Sequence, residues 1–302
     1  MQILDGKKLS QVIKDEIKEE VEQIVPISPR KPHLVAIIVG DNPASHTYVK
    51  HKIRSCKYVG FHSTLVHLPI EVSEYELLSI VEKNNQNPEV DGIIVQMPLP
   101  EHISQQKIIQ SVTPRKDVDG FHPFNVGMLT QNYFPTMIPA TPSGILEMIK
   151  RYDIPTKGKH CVMVGRSRIV GRPTSILMSR GGYPGEATVT ICHKHTPAED
   201  LKKFCLQGDI IIVATGIPGL IKADMIKEGA VVIDVGITRV PADDTKSGYR
   251  LKGDVDFPNV APKTSYITPV PGGVGPMTVA MLLKNTLDAF KNRETRKNRQ
   301  QA

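Results

Sequence analysis

The sequence predicts an α/β protein with two domains, each built around a parallel sheet. Its 302 residues exceed the roughly 100–200 residues of an ordinary domain, so two domains are favoured. Apolar runs of strand length alternate with segments of helical periodicity, which is typical of parallel sheets with right-handed crossovers. Turn-forming residues interrupt this alternation between about 112 and 140, and we place the domain boundary near residue 140.

The first half of the chain predicts a helix followed by a βαβαβ series. Apolar residues from Leu9 to Ile24 recur at helical spacing, with Asp5 as the N-terminal cap. The later elements are a strand at 34–40, a helix at 43–59 ended by Gly60, a strand near 61–68, a helix opened by the capping box of Ser73 and Glu76, and a strand at 92–97. This order implies a parallel sheet, because a helix separates each strand from the next.

The second half repeats the pattern. A helix opens at Thr141–Pro142, and continuous apolar strands are predicted at 160–165, 187–191, 209–214 and 230–236. A hairpin at 237–252 with its turn at 243–248, a Gly/Pro-rich loop at 268–278 and a helix at 277–291 complete the predicted elements. Such apolar strands are expected where helices cover both faces of a sheet.

Composition and charge exclude several classes of protein. With 40% hydrophobic and 23% charged residues, the chain is typical of a globular protein and too apolar for a disordered one. The net charge of +7 is concentrated after Phe290, where five basic residues and one acidic residue give +4. We therefore expect a solvated basic tail and no nucleic-acid partner. No apolar run approaches the roughly 18 residues of a membrane helix, so no membrane partner is expected either.

The four cysteines favour a reducing compartment. They form no C-x-x-C pair, and their spacing matches neither a zinc site nor a disulfide framework, so no metal is expected. The first residues lack the apolar segment of a signal peptide. We therefore expect a soluble cytoplasmic protein with buried, reduced thiols.

A glycine-bearing turn follows the strand at 160–165. Its sequence, Gly165-Arg-Ser-Arg-Ile-Val-Gly171, would expose backbone N–H groups at the positive end of a helix dipole, which is a phosphate site of Rossmann-like folds. The spacing matches neither G-x-G-x-x-G nor a P-loop, so an ordinary corner between a strand and a helix is the alternative.

Charge near the second strand of this series favours NADP over NAD. In a dinucleotide fold an acidic residue there binds the ribose 2′-hydroxyl, whereas basic residues receive a 2′-phosphate. Here the strand runs into Cys192-His-Lys-His-Thr196, no acidic residue occurs before Glu199, and Arg166 and Arg168 lie in the first turn. The alternative is a solvated basic loop.

Tyr48 and Lys52 form the candidate catalytic pair of the first half. Their i, i+4 spacing places both side chains on one face of the helix predicted at 43–59. Burial in a pocket would lower the pKa of the lysine and make it a proton acceptor, whereas an exposed pair would have no such role. The pair precedes the glycine turn by more than 100 residues, which excludes the short-chain dehydrogenases, where the order is reversed.

Six ordered segments carry a resemblance to one enzyme family. They are Tyr48-Val-Lys-His-Lys52, Val95-Gln-Met-Pro-Leu-Pro100, Lys116-Asp-Val-Asp-Gly120, Pro139-Ala-Thr-Pro-Ser-Gly144, Val164-Gly-Arg-Ser-Arg-Ile-Val-Gly-Arg-Pro173 and Thr268-Pro-Val-Pro-Gly-Gly-Val-Gly-Pro-Met-Thr278. Over residues 1–291 the chain resembles the bifunctional methylenetetrahydrofolate dehydrogenase/methenyltetrahydrofolate cyclohydrolase family, bacterial FolD type. The resemblance implies NADP-dependent oxidation of 5,10-methylenetetrahydrofolate to 5,10-methenyltetrahydrofolate and hydrolysis to 10-formyltetrahydrofolate. It also implies a place in one-carbon metabolism, tetrahydrofolate interconversion and purine biosynthesis.

The resemblance implies roles for individual residues as well. Lys52 would be the central catalytic group, with Tyr48 lining the folate site and Gln96 orienting the lysine. Asp119 would bind the pterin ring, and spacing alone leaves Asp117 as the alternative. Further substrate contacts are expected from Pro271, Gly272 and Gly273, and cofactor contacts from Gly165, Arg166, Ser167, Lys194, His195, Thr215, Gly216, Gly236 and Ile237. Arg166 with Lys194 or His195 would receive the 2′-phosphate.

The resemblance finally implies an organisation. Residues 1–140 with 277–302 would form a folate-binding catalytic domain and residues 141–276 a Rossmann-like NADP-binding domain, separated by a cleft that serves both reactions. The family is dimeric through its nucleotide domain, so a homodimer that binds tetrahydrofolate derivatives, including polyglutamylated ones, is expected. The two rival interpretations are an NADP oxidoreductase with another substrate and a noncatalytic binding protein.

Overall fold

The structure, a computed structural model, describes residues 1–24, 28, 30–133, 137–245 and 248–301. Side chains are described as far as Thr295. The side chains of Arg296, Lys297 and Arg299 in the predicted basic tail, and part of the predicted hairpin turn, therefore lie outside the described residues.

Helices and strands alternate along the chain. The helices are α1 Gly6–Ile24, α2 Pro43–Tyr58, α3 Glu74–Gln86, α4 Gln105–Ser111, α5 Pro123–Thr130, α6 Ala140–Arg151, α7 Gly171–Ser179, α8 Ala198–Gln207, α9 Phe257–Val260 and α10 Val274–Gln301. The strands are β1 Gln2–Ile3, β2 His33–Val39, β3 His62–Leu68, β4 Gly92–Val95, β5 His160–Val164, β6 Thr188–Cys192, β7 Ile210–Val213, β8 Ala230–Asp234, β9 Thr238–Pro241, β10 Tyr249–Lys252 and β11 Thr264–Ile267. The chain divides into a three-stranded unit, Gln11–Ala140 with Val279–Ala302, and a six-stranded unit, Met1–Ser10 with Thr141–Thr278.

The three-stranded unit is built on a parallel sheet with the strand order β3-β2-β4. The middle strand is buried from Leu34 to Val39, because it has a neighbour on each side and apolar side chains on both faces. Helices α2 and α3 provide the crossovers that parallel neighbours require. The carboxyl ends of the three strands therefore lie along one edge of the sheet, and Gly40 and Gln96 follow β2 and β4 at that edge.

The six-stranded unit contains a parallel sheet with the order β1-β11-β8-β7-β5-β6. Strand β5 pairs with β6 on one side and with β7 on the other, so the winding of the chain reverses at β5. Ligands of open α/β sheets bind outside the carboxyl ends of the strands at such a reversal. Gly165 follows β5 and Ala214 follows β7, which places the predicted phosphate turn at this point.

The predicted elements are largely confirmed, and two differences have a clear cause. Asp5 Oδ1 accepts the N–H of Lys8 at 2.8 Å, as expected of the cap of α1. Helix α6 begins at Ala140, and the hydroxyl of Thr141 lies 3.0 Å from that of Thr278. Strands β1 and β11 were not predicted, because they are too short to show a periodic pattern. Their pairing places residues 1–10 in the six-stranded unit.

The basic tail departs from the expectation of a solvated end. Helix α10 continues to Gln301 instead of ending near residue 291. Lys291 forms an ion pair with Glu20, and Arg293 lies 3.4 Å from the buried carboxylate of Asp91. Arg30 donates two hydrogen bonds to that carboxylate at 2.6 and 2.7 Å. The expectation is therefore wrong as far as Arg293, because buried and partly buried acids hold this part of the helix.

Other expectations can be checked directly. Strands β9 and β10 pair in antiparallel fashion, which confirms the hairpin. The four cysteines are buried and free, as predicted for reduced thiols. None of the helices in the described part of the chain is long and apolar enough to cross a membrane.

Candidate functional site

Helix α2 carries a lysine on its buried face. Pro43 begins the helix, and the Asn42 side chain accepts the N–H groups of Ala44 and Ser45. The buried residues of this helix recur at helical spacing and are Ser45, Val49, Lys52 and Cys56. Lys52 is only 4% exposed. Because a buried ammonium group is costly without partners, its surroundings determine whether the helix tolerates it.

Gln96 and Tyr48 surround the Lys52 amine. Lys52 Nζ donates to Gln96 Oε1 at 3.3 Å and lies 4.9 Å from the centre of the Tyr48 ring. Gln96 Nε2 donates to the backbone oxygen of Met97 at 2.8 Å, and this bond turns the amide oxygen toward the lysine. The structure therefore brings Tyr48, Lys52 and Gln96 together, with the amide and the ring face stabilising the positive charge.

Asp117 and Asp119 have different surroundings. Asp117 is buried, and its carboxylate accepts the N–H groups of Phe121 and His122 and the amide of Asn125 at 2.8–3.2 Å. It therefore fixes the turn before α5. Burial raises the pKa of Asp119, and the positive charge of Lys52 acts in the opposite direction. The Lys52 amine therefore acts electrostatically on Asp119, whereas the Asp117 carboxylate is occupied by hydrogen bonds within its own turn.

The glycine turn after β5 leaves no room for side chains at its two ends. Gly165 has a φ of +125°, and a Cβ on it would lie 2.4 Å from the carbonyl oxygen of Ala214. A Cβ on Gly171 would lie 2.3 Å from the oxygen of Gly165. Ser167 Oγ accepts the N–H groups of Val170 and Gly171 at 3.1 and 3.3 Å. The turn is therefore held close to β7, with Arg166 and Ser167 exposed at its surface.

The loop after β6 places cations beside this turn. Lys194 and His195 are exposed, and the His195 N–H donates to Nδ1 of His193 at 3.2 Å. Desolvation and then the neighbouring charges of Arg166 and His195 lower the pKa of His193. Arg166 therefore acts on the same surface as the basic loop, although the two are separate in sequence. This arrangement provides the cations that a 2′-phosphate requires.

The predicted contacts after β7 and β8 have internal partners. The N–H groups of Thr215 and Gly216 donate to Asp254 Oδ2 at 2.5 and 2.9 Å. The N–H of Gly236 donates to Asp234 Oδ1 at 2.9 Å. These three amides thus bind two carboxylates of the protein, and any contact with a cofactor would use other atoms of these turns. Ile237 is exposed.

Asp234 and Asp254 are organising residues that the sequence reasoning missed. Asp234 also accepts the N–H groups of Asp254 and Val255 at 3.0 and 2.9 Å. Burial raises the pKa of Asp234 to about 6, and the three hydrogen bonds oppose that shift. The available signal was a single charged residue at the end of an otherwise apolar strand, Ala230-Val-Val-Ile-Asp234, where an acidic side chain needs internal donors.

The loop after β11 is held from two sides. Thr268 Oγ1 accepts the N–H of Asp234 at 2.7 Å. The N–H of Lys7 donates to the oxygen of Gly272 at 2.9 Å, and a Cβ on Gly6 would lie 1.8 Å from the oxygen of Gly273. Gly272 has a φ of +105°, which favours glycine at that position. The predicted substrate loop therefore has a defined shape, with Pro271 exposed and Gly273 buried.

Comparisons with known proteins match both units. The sequence description "Tetrahydrofolate dehydrogenase/cyclohydrolase, catalytic domain" matches residues 4–119, and "Tetrahydrofolate dehydrogenase/cyclohydrolase, NAD(P)-binding domain" matches residues 139–294. The chain is 57% identical to the Bifunctional protein FolD of Christiangramia forsetii, over 98% of each chain.

Solved structures agree with these matches. The bifunctional FolD enzyme of Campylobacter jejuni is 47% identical, with a TM-score of 0.90 over 97% of this chain and 99% of that one. The Trypanosoma brucei dehydrogenase-cyclohydrolase (FolD), solved with NADP cofactor and an inhibitor, is 39% identical, with a TM-score of 0.92 over 96% and 97% of the two chains. Identity at this level over nearly the whole length shows that this chain belongs to the tetrahydrofolate dehydrogenase/cyclohydrolase family.

Proposed function

We propose that this protein oxidises 5,10-methylenetetrahydrofolate to 5,10-methenyltetrahydrofolate with NADP⁺ and hydrolyses the product to 10-formyltetrahydrofolate. The observation that carries the proposal is the buried amine of Lys52, which is held by Gln96 beside the Tyr48 ring in the unit matched by the catalytic domain. The ordered folate-family segments of the same unit distinguish this substrate from that of another NADP oxidoreductase.

In the hydrolytic step we assign Lys52 to the water that attacks the methenyl carbon. A lysine side chain held in one orientation can position this water as an ammonium group and, in its neutral form, can take the proton of the water; general-base assistance of this kind contributes about 10²–10⁴-fold. Gln96 keeps the amine in place through the bond of its own amide to the Met97 oxygen. Tyr48 lines the folate site beside the amine, and the carboxyl of Asp119 receives the paired N–H donors of the pterin ring.

The six-stranded unit has the features needed to hold NADP. The turn at Gly165 has no side chain at its first residue, so a phosphate can approach its backbone closely. Arg166 and Ser167 are exposed on the same turn. We propose that Arg166 with Lys194 or His195 binds the 2′-phosphate, and that the turns at Thr215–Gly216 and Gly236–Ile237 flank the adenosine and nicotinamide. NADP⁺, when bound, supplies the hydride acceptor. The loop at Pro271–Gly273 would orient the folate for that transfer.

We further propose how the protein is organised in the cell. Residues 1–140 with 277–302 carry the folate-binding and catalytic groups and residues 141–276 carry the NADP-binding groups, although residues 1–10 pair with the six-stranded sheet through β1. The protein is a cytoplasmic homodimer that supplies one-carbon units to purine biosynthesis, and the β9–β10 hairpin is the arm that contacts the partner subunit. The assignment of the hairpin as an arm is supported by the pairing of β9 and β10, which among the described strands pair only with each other. Equilibrium sedimentation that gives a monomer would contradict the dimer.

The reaction is tested by following its two steps separately. The purified chain is given 5,10-methylenetetrahydrofolate with NADP⁺ or NAD⁺, and NADPH formation is recorded independently of the decay of the methenyl product. We expect both signals, with NADP⁺ preferred. NADP⁺ reduction with a different hydroxy or amino substrate, but none with the folate, would favour another oxidoreductase. Absence of both signals in a folded protein would favour a noncatalytic binding protein.

A further inference from the structure

Three side chains with no role in the proposed reaction meet at the carboxyl edge of the three-stranded sheet. Asp41 lies between β2 and α2, His46 lies near the start of α2, and His67 lies near the end of β3. Each side chain offers one ligand atom, and these three atoms lie within 4.8 Å of one another. We call these residues the Asp41–His46–His67 cluster.

Four nitrogen–oxygen distances in this cluster have the size expected of a tetrahedral metal site. Asp41 Oδ1 lies 3.3 Å from His46 Nε2 and 3.2 Å from His67 Nε2. The backbone oxygen of Gly40 lies 3.2 and 3.3 Å from the same two nitrogens. Zinc–ligand bonds of about 2.0–2.1 Å place neighbouring ligand atoms of a tetrahedron about 3.3–3.4 Å apart. Square or octahedral arrangements with the same bonds would bring adjacent ligand atoms to about 2.8–3.0 Å.

We propose that the Asp41–His46–His67 cluster and the Gly40 oxygen bind one Zn²⁺ ion. Two imidazole nitrogens and one carboxylate oxygen are ligands that zinc accepts, and the Gly40 carbonyl oxygen would complete the tetrahedron. The two rings are nearly perpendicular, at 88°, with their centres 4.9 Å apart, so both Nε2 atoms converge on Asp41. The Asp41 side chain is 85% exposed and that of His67 is 45% exposed, which gives the ion a path from solvent.

The local charges permit a cation at this place. The N-terminus of α2 carries partial positive charge, which would oppose the ion. However, Asn42 Oδ1 already accepts the first free amides of that helix, those of Ala44 and Ser45, and the Asp41 carboxylate supplies negative charge. The bound ion would join the start of α2 to the ends of β2 and β3. The same distances also fit a cluster in which each Nε2–H donates to the Gly40 and Asp41 oxygens, and this alternative contains no metal.

Calorimetric titration of the full, chelator-treated chain with Zn²⁺ distinguishes the two arrangements. We expect one Zn²⁺ per chain, at least tenfold weaker binding for each of His46→Asn and His67→Asn, and weaker binding for Asp41→Asn. The matched control is His62→Asn. His62 lies at the opposite end of β3, where its ring is 4.3 Å from that of His33, and this substitution should leave binding unchanged.

A second measurement reports the geometry. Co²⁺ titrated in place of Zn²⁺ should give the intense visible absorption of a tetrahedral complex in the wild-type chain and in His62→Asn, and should lose it in His67→Asn. No zinc uptake by the wild-type chain would overturn the proposal and would favour the cluster that is held by hydrogen bonds without a metal. Unchanged binding in the doubly substituted His46→Asn/His67→Asn chain, or a weak six-coordinate cobalt spectrum, would also overturn it. Neither measurement depends on turnover of folate.

Discussion

Lys52 and Gly165 both lie near the carboxyl edge of a parallel sheet, yet the two edges are built in different ways. In the three-stranded unit, side chains fix one another, since Gln96 holds the buried Lys52 amine. In the six-stranded unit, side-chain carboxylates fix backbone, since Asp234 and Asp254 accept amides of the turns. The first edge therefore depends on the identity of a few polar groups. The second depends on a backbone shape that only certain residues allow.

The largest effect is expected from Lys52→Met, which keeps the length of the side chain and removes its amine. Methenyl hydrolysis should fall by about 10²–10⁴-fold, because the attacking water loses the group that positions and activates it. Loss of the dehydrogenase activity as well would show that the amine also orients folate, so the two rates are recorded separately. The matched control is Lys50→Met, an exposed lysine on the same helix, which should retain both activities. Full hydrolysis by Lys52→Met would remove Lys52 from its assigned role.

A second expected effect concerns stability against pH in the six-stranded unit. The pKa of Asp234 is about 6 in the folded protein and near 3.8 without burial, so the folded state binds the extra proton between these values. The free energy of unfolding should therefore fall as the pH rises from about 4 to about 6, by about 3 kcal/mol from this residue alone.

Urea unfolding across that pH range tests this expectation. Asp234→Asn cannot titrate, so the difference in unfolding free energy between the wild-type and variant chains should change by about 3 kcal/mol across the range. Asp256→Asn, in the same part of the unit, should leave the wild-type dependence in place. An Asp234→Asn chain whose stability follows that of the wild type at every pH would contradict the raised pKa.

A smaller effect is expected from Gly165→Ala. The new methyl group would meet the Ala214 oxygen at 2.4 Å in a backbone conformation that disfavours a side chain, so we expect a loss of about 1–3 kcal/mol and a higher KM for NADP⁺. Gly181→Ala is the control, since a Cβ there has no neighbour within 4 Å among the described residues. Thermal unfolding measures the loss of stability, and cofactor kinetics measure the KM for NADP⁺. An unchanged KM would show that this turn does not contact the cofactor.

The smallest effect is expected at the basic loop. Lys194→Ala removes one exposed cation, so the KM for NADP⁺ should rise about tenfold while that for NAD⁺ stays the same, because only NADP⁺ carries the 2′-phosphate. The same measurement on His195→Ala decides which of the two residues contributes more. Lys203→Ala, an exposed lysine on α8, serves as the control. Equal changes for both nucleotides would indicate a general effect of charge.

The sequence was most informative where a pattern is local or strongly apolar. The central strands β2, β5, β7 and β8 are buried runs, and the cap of α1 at Asp5 depends on residues three apart, so both follow from short stretches of chain. The pair of Tyr48 and Lys52 followed from helical spacing. Its partner Gln96 was identified only through the family resemblance, because it is separated from Lys52 by 44 residues.

Other features could not be predicted because they depend on contacts between distant segments. The pairing of β1 with β11 joins the two ends of the six-stranded unit, and neither strand is long enough to show alternation. The sequence of the tail shows mostly basic residues, which favours a solvated end. Its acidic partners, Glu20 and Asp91, lie far away in the sequence and meet the tail only in the folded chain. The Asp41–His46–His67 cluster was missed for the same reason, since its three residues belong to three segments.

The hydrogen bond from Lys7 to Gly272 has a practical consequence. It makes the first few residues part of the support for a loop that lies more than 260 positions later in the chain. A protease that cuts after Lys7 would remove the short β1 strand with its bonds to β11 and the bond from Lys7 to Gly272, and would leave the turn at Gly165 in place. Such clipping would loosen the loop around Gly272 while the backbone at Gly165 keeps its shape.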